Sequence, residues 1–77
     1  MKIKDIVLVD KDILSGTPVF LGTGVPIKAL LDYLEEGEDI EVFLDHFPTV
    51  KRERVLEFLE ISAKEYLLKH YHENIAG

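Results

Sequence analysis

Three basic side chains lie close together in the second half of the sequence, at Lys51, Arg52 and Arg54. Arginine can donate a pair of hydrogen bonds to guanine, and it pairs with phosphate in the same way. In a helix-turn-helix, the first residues of the second helix reach the base edges of DNA. The cluster therefore indicates a local DNA contact, to which Lys28 would add a phosphate contact. The alternative interpretation is a solvated turn with ordinary charges.

The segment 32–45 contains seven acidic residues and no lysine or arginine. Three interpretations stay open for it: a solvated face, a docking surface for a basic partner protein, or a site for a divalent metal ion. Asp39 and Glu41 are also explained by a helix start, where negative charge is favourable. We expect no metal site, and we expect partner contacts at Glu35, Glu36 and Glu38.

No group of residues has the spacing of a catalytic or cofactor site. The histidines at 70 and 72 point to different sides of a helix, and Ser15 and Ser62 have no nearby histidine and aspartate. The sequence has no cysteine, which excludes disulfides and thiolate metal sites. The segment 22–24 lacks the further glycine and lysine of a phosphate loop and indicates a turn with positive φ. We expect no enzyme activity and no cofactor.

The length of 77 residues corresponds to one domain, 1–77, near the low end of what folds unaided. The net charge is −6. Because phosphate neutralisation supplies most non-specific affinity for nucleic acids, any DNA contact must be local. No stretch approaches the roughly 20 apolar residues of a membrane span, and the first residues lack the apolar run of a secretory signal. We therefore expect a cytoplasmic protein that makes no membrane contact.

The first third of the chain has the pattern of short strands. Residues 6–9 are apolar on both faces of a strand, which is typical of a strand covered on both sides. A turn signal at 15–18 and a second apolar run at 19–21 follow. The pattern predicts a loose β-hairpin within residues 3–21. Such a hairpin is marginal alone, so it must pack on helices or pair with another chain.

Three helices are predicted after the hairpin, over 26–36, 39–47 and 50–71. Pro26 suits a helix start, Gly37 suits a helix end, Asp39 is a good N-cap and Pro48 stops the second helix. Their short connections, with the longest helix last, fit a helix-turn-helix arrangement.

The predicted third helix has more apolar rows than one small core can cover. One stripe contains Val55, Leu59, Ser62 and Tyr66, beside Leu56, Ala63, Leu67 and His70. A further row contains Phe58, Ile61 and Leu68. We expect this further row to contact the N-terminal strands, a second subunit, or both.

The segment 10–26, with the sequence DKDILSGTPVFLGTGVP, resembles the opening of the domain-of-unknown-function 433 (DUF433) family. The similarity continues through 31–37, 43–48 and 55–59 and spans about residues 6–67. It is carried by an ordered set of turn and helix-boundary residues: Gly16, Pro18, Gly22, Thr23, Pro26, Gly37 and Pro48. This chain has Gly24 where the family pattern has arginine, and Lys51 where the family tends to have serine or threonine.

The resemblance implies a mainly α fold, a three-helix homeodomain-like helix-turn-helix with a short N-terminal β-hairpin. Many such proteins are regarded as antitoxins that bind and block a PIN-like ribonuclease toxin and repress their own operon. The leading hypothesis is therefore an antitoxin-like homodimer with a ribonuclease toxin and operator DNA as partners. The alternative is a protein-interaction or assembly module with a degenerate helix-turn-helix fold that does not bind DNA.

Overall fold

The computed structural model describes the backbone of residues 2–75 and the side chains of residues 2–69. The strands are β1 (Val7–Leu8) and β2 (Val19–Phe20), and the helices are α1 (Ile27–Glu35), α2 (Ile40–His46) and α3 (Arg52–Ile75). Single 3-10 turns at Ile3–Asp5 and Leu14–Gly16 precede β1 and β2. The fold is mainly α with a short N-terminal antiparallel hairpin, which confirms the predicted fold class.

The two strands pair antiparallel, with Val7 opposite Phe20 and Leu8 opposite Val19. The Leu21 N–H donates to the Ile6 carbonyl at 2.8 Å and extends the pairing by one hydrogen bond. Ile6 is buried, but Val9 is 64% exposed. The expectation that both faces of residues 6–9 are covered is therefore wrong at Val9. Because β1 ends at Leu8, the Val9 side chain lies beyond the paired residues and in solvent.

The chain turns sharply after β2 and returns along it. The Phe20 N–H donates to the Val25 carbonyl at 2.9 Å, and the Thr23 hydroxyl donates to the Phe20 carbonyl at 2.8 Å. Gly22 and Gly24 have φ of +78° and +71°, so the prediction of a positive-φ turn at 22–24 is confirmed. The Ile27 N–H then donates to the Pro18 carbonyl at 3.0 Å, which attaches the start of α1 to the hairpin.

Backbone capping fixes where α1 ends. Gly37 has φ +81°, its N–H donates to the Leu34 carbonyl, and the Glu38 N–H donates to the Tyr33 carbonyl. This is the pattern of a Schellman motif, in which a left-handed glycine follows the last helical residues. Asp39 holds the N-cap position of α2, but its carboxylate makes no capping hydrogen bond there.

The core lies between the hairpin and the three helices. Its fully buried side chains are Phe20, Phe43, Ile6, Leu30, Val19 and Val55. The Phe20 ring lies 6.3 Å from the Phe43 ring of α2 and 6.0 Å from the Phe58 ring of α3, centroid to centroid. The predicted contact between the third helix and the N-terminal strands is therefore present, and it is made by Phe58.

Only the first half of α3 reaches this core. Every described side chain from Ala63 to Lys69 is exposed, with Tyr66 at 61% and Leu68 at 79%. The stripe of Val55, Leu59, Ser62 and Tyr66 therefore reaches beyond the core, which covers it only as far as Ser62. The side chains of His70 and His72 lie outside the described residues. Within the described chain, no helix is both long and apolar enough to cross a membrane.

Candidate functional site

The basic cluster, called here the basic corner, consists of Lys51, Arg52 and Arg54. Two buried valines of the turn and of α3 position it, since Val50 and Val55 are 4% and 0% exposed. The Val50 N–H donates to the Phe47 carbonyl, and the Arg54 N–H donates to the Lys51 carbonyl. With the valines anchored in the core, Lys51 and Arg52 are exposed and Arg54 is partly buried. The structure thus brings the three predicted cations together at the start of α3, with Lys51 just before the helix and Arg52 and Arg54 in its first turn.

Two of the three cations are already paired with carboxylates of the same chain. Arg52 pairs with Glu41 of α2, and the Arg54 guanidinium lies 2.6 Å from the Glu57 carboxylate. Lys51 has no carboxylate partner among the described residues. The Arg52–Glu41 pair is exposed, and such pairs contribute only about 0–1 kcal/mol, so a phosphate can replace the Glu41 carboxylate at small cost.

Lys28 lies outside the basic corner, in the first turn of α1. Its ammonium group is 3.0 Å from both carboxylate oxygens of Asp32, one helical turn further on. The hydrogen bond to Asp32, and then the negative charge of Asp32, raise the pKa of Lys28 above its ordinary value. The Lys28 side chain is 78% exposed. A phosphate contact there would have to compete with Asp32.

A shallow cleft of about 260 Å³ separates the basic corner from the turn after β2. Its lining includes Lys51 and Arg54 of the basic corner and Phe20, Leu21 and Thr23 of β2 and the turn after it. Small-molecule pockets are typically about 300–1,000 Å³, so this cleft suits a single projecting group. Sequence reasoning missed the cleft. Its lining residues come from two segments that are about 30 positions apart in the sequence, and no local pattern joins them.

The acidic residues predicted to contact a partner, Glu35, Glu36 and Glu38, are all exposed. They lie at the end of α1 and in the turn after it. Negative charge at a helix C-terminus interacts unfavourably with the helix dipole. Helix stability therefore does not explain Glu35 and Glu36, in contrast to Glu41 in the first turn of α2.

The apolar row of Phe58, Ile61 and Leu68 is divided in the structure. Phe58 and Ile61 are partly buried and pack against the chain's own core, whereas Leu68 is 79% exposed. The row is therefore not one continuous exposed surface, because the core extends along α3 as far as Ile61. Among the described residues, no three acidic or histidine side chains lie close enough together to hold a metal ion.

Comparison with known proteins identifies a family. Residues 7–60 match a family described as a protein of unknown function, DUF433. No curated protein and no solved structure matches the chain. The matched region begins at β1, includes the basic corner, and ends within α3 just before its exposed half. Because this match covers well over half of the 77 residues, the chain belongs to the DUF433 family.

Proposed function

We propose that the chain is an antitoxin-like DNA-contacting protein that binds and neutralises a PIN-like ribonuclease toxin in the cytoplasm. The observation that carries the proposal is the basic corner, three cations together at the start of the longest helix of a DUF433 chain. In a helix-turn-helix this is the position from which side chains reach DNA.

The acidic segment supports a toxin contact. Residues 32–45 carry a charge of −7 from seven acids, and Glu35, Glu36 and Glu38 are exposed. A ribonuclease binds a polyanion and therefore presents basic side chains at its substrate surface. Complementary charge speeds association and selects the partner, so the acidic segment suits the RNA-binding face of such an enzyme.

The toxin contact is tested by mixing the purified chain with the product of the neighbouring gene and measuring ribonuclease activity. We expect inhibition, and we expect Glu35→Lys with Glu36→Lys to weaken it. Glu60→Lys with Glu65→Lys is the matched control, because it makes the same change of charge at two exposed residues of α3. Absence of both complex and inhibition would refute the antitoxin assignment.

The DNA contact is tested by gel shift on the upstream DNA of the chain's own operon. Lys51→Ala and Arg54→Ala should each weaken binding and reduce its salt dependence by about one phosphate contact. Lys64→Ala is the matched control, because Lys64 is an exposed cation on α3 that pairs with Glu60 at 3.0 Å. Equal effects of all three variants would contradict a role for the basic corner.

The alternative function, a protein-interaction module that does not bind DNA, is favoured by a separate observation. Arg52 and Arg54 are neutralised by Glu41 and Glu57, and the chain as a whole carries −6. If the chain is such a module, we expect no shifted band in the gel shift at modest salt, even for the unmodified protein. Binding to the toxin should persist.

A further inference from the structure

The cleft beside the basic corner has a lining of two chemical kinds. Its charged lining residues are Lys51 and Arg54. Its apolar lining residues come from β2, the segment before β1 and the turn before α3, and they are Ile6, Phe20, Leu21 and Val50. Leu21 is 50% exposed, and the other three are buried. A ligand that fills the cleft therefore meets both positive charge and hydrocarbon.

The charge of the cleft matches a ligand with one negative charge. Lys51 has no carboxylate partner in the described part of the chain, whereas the Arg54 guanidinium lies 2.6 Å from the Glu57 carboxylate. Lys51 and Arg54 at +1 each and Glu57 at −1 leave a net charge of +1. A phosphate monoester carries about −1.5 to −2 near pH 7 and exceeds that charge. A single carboxylate neutralises it.

Several donors of the turn after β2 are already bonded within the chain. The Thr23 hydroxyl donates to the Phe20 carbonyl and accepts a hydrogen bond from the Val25 N–H. The Thr23 N–H also donates to the Phe20 carbonyl, and the Leu21 N–H donates to the Ile6 carbonyl. These groups are therefore not free to hold an anion. The half-exposed Leu21 side chain gains instead from contact with an apolar group.

We infer that the cleft binds a carboxylate that stands next to an apolar side chain, as at the free carboxyl end of a hydrophobic amino acid. Lys51 and Arg54 donate hydrogen bonds to the carboxylate, and the apolar side chain contacts Leu21. The volume of about 260 Å³ suits one such residue, since small-molecule pockets are typically larger. A DNA phosphodiester also carries one negative charge, but it brings no apolar side chain to Leu21.

The first test titrates the isotopically labelled full chain with N-acetyl-leucine and follows the backbone amide signals by NMR. Signals of the lining residues Leu21, Thr23 and Thr49 should shift, with a dissociation constant of about 1–10 mM for so small a ligand. N-acetyl-leucinamide lacks the charge and N-acetyl-glycine lacks the apolar side chain, so each should bind at least about fivefold more weakly. Absence of shifts at the cleft, or equal binding of either matched compound or of inorganic phosphate, would overturn the inference. The inference does not depend on the proposed function, because neither a toxin nor DNA takes part in this binding.

The second test places the ligand with variants of the full chain. Lys51→Gln removes a charge and Leu21→Ser removes an apolar contact, so each should weaken binding of N-acetyl-leucine about threefold or more. Lys64→Gln and Leu68→Ser make the same changes at exposed positions of α3 and should leave the affinity unchanged. Circular dichroism checks that each variant is folded, and Lys51→Gln at an exposed position decides the result if Leu21→Ser unfolds. Equal effects of the cleft variants and their controls would overturn the inference.

The third test distinguishes the two sources of this chemistry, the C-terminal residue of another protein and a free small acid. It compares N-acetyl-leucine with a short peptide that ends in leucine. Binding of the peptide at least about tenfold more tightly supports a protein C-terminus, because further residues then add contacts around the cleft. Equal affinities support a free acid. Amidation of the peptide should abolish binding in either case, and an amidated peptide that binds equally well would overturn the carboxylate contact.

Discussion

Phe20 joins the hairpin to two of the helices through its ring contacts with Phe43 and Phe58. It is 1% exposed. Phe20→Ala should lower the free energy of unfolding by about 3–5 kcal/mol, because it leaves a cavity where three elements meet. That loss is a large part of the roughly 5–15 kcal/mol that stabilises a typical domain. Urea unfolding measures it, with Leu68→Ala at an exposed position as the control, and equal losses would contradict this account of the core.

Lys28 stabilises the fold while its side chain is protonated, and this contribution is lost at alkaline pH. Its pKa is raised in the folded state by the hydrogen bond to Asp32 and by the charge of Asp32. The contribution is therefore present at neutral pH and is lost as the pH rises through the folded-state pKa, above the ordinary value of 10.5. Lys28→Gln should lower stability slightly at about pH 8 and have less effect at about pH 11. Thermal unfolding at both pH values checks this, and a larger effect at the higher pH would contradict it.

At the scale of elements, the connection between α1 and α2 depends on the left-handed backbone of Gly37, which has φ +81°. No atom beyond Gly37 and its two chain neighbours lies within 4 Å of where a Cβ would be, so the cost of a side chain there comes from the local backbone alone. Gly37→Ala should destabilise the chain by about 1 kcal/mol, and Gly37→Asn should cost less, because asparagine tolerates this conformation better. Chemical unfolding of both variants measures the difference, and an equal cost would contradict the backbone explanation.

The existence and order of the helices followed from local patterns. Apolar residues at helical spacing, with Gly37 and Pro48 at the boundaries, predicted all three helices, and their observed starts lie within two residues of prediction. The exposure of Val9 was not predictable in this way. An apolar pattern shows which side chains share a face, but it does not show where the neighbouring elements end.

At the scale of the whole molecule, the candidate site was predictable only in part. The grouping of Lys51, Arg52 and Arg54 followed from adjacency in the sequence. The pairing of Arg52 with Glu41, and the cleft between Arg54 and Leu21, depend on how distant segments pack. The net charge of −6 predicted that any DNA contact would be local, and the structure shows the basic corner already partly neutralised by its own chain.

The length of α3 also separates the basic corner from the exposed half of the same helix. Arg52 and Ala63 are 11 residues apart, or about 16 Å along the helix axis. A molecule that packs on the exposed side chains from Ala63 to Lys69 therefore leaves the basic corner accessible to a second molecule at the other end of α3.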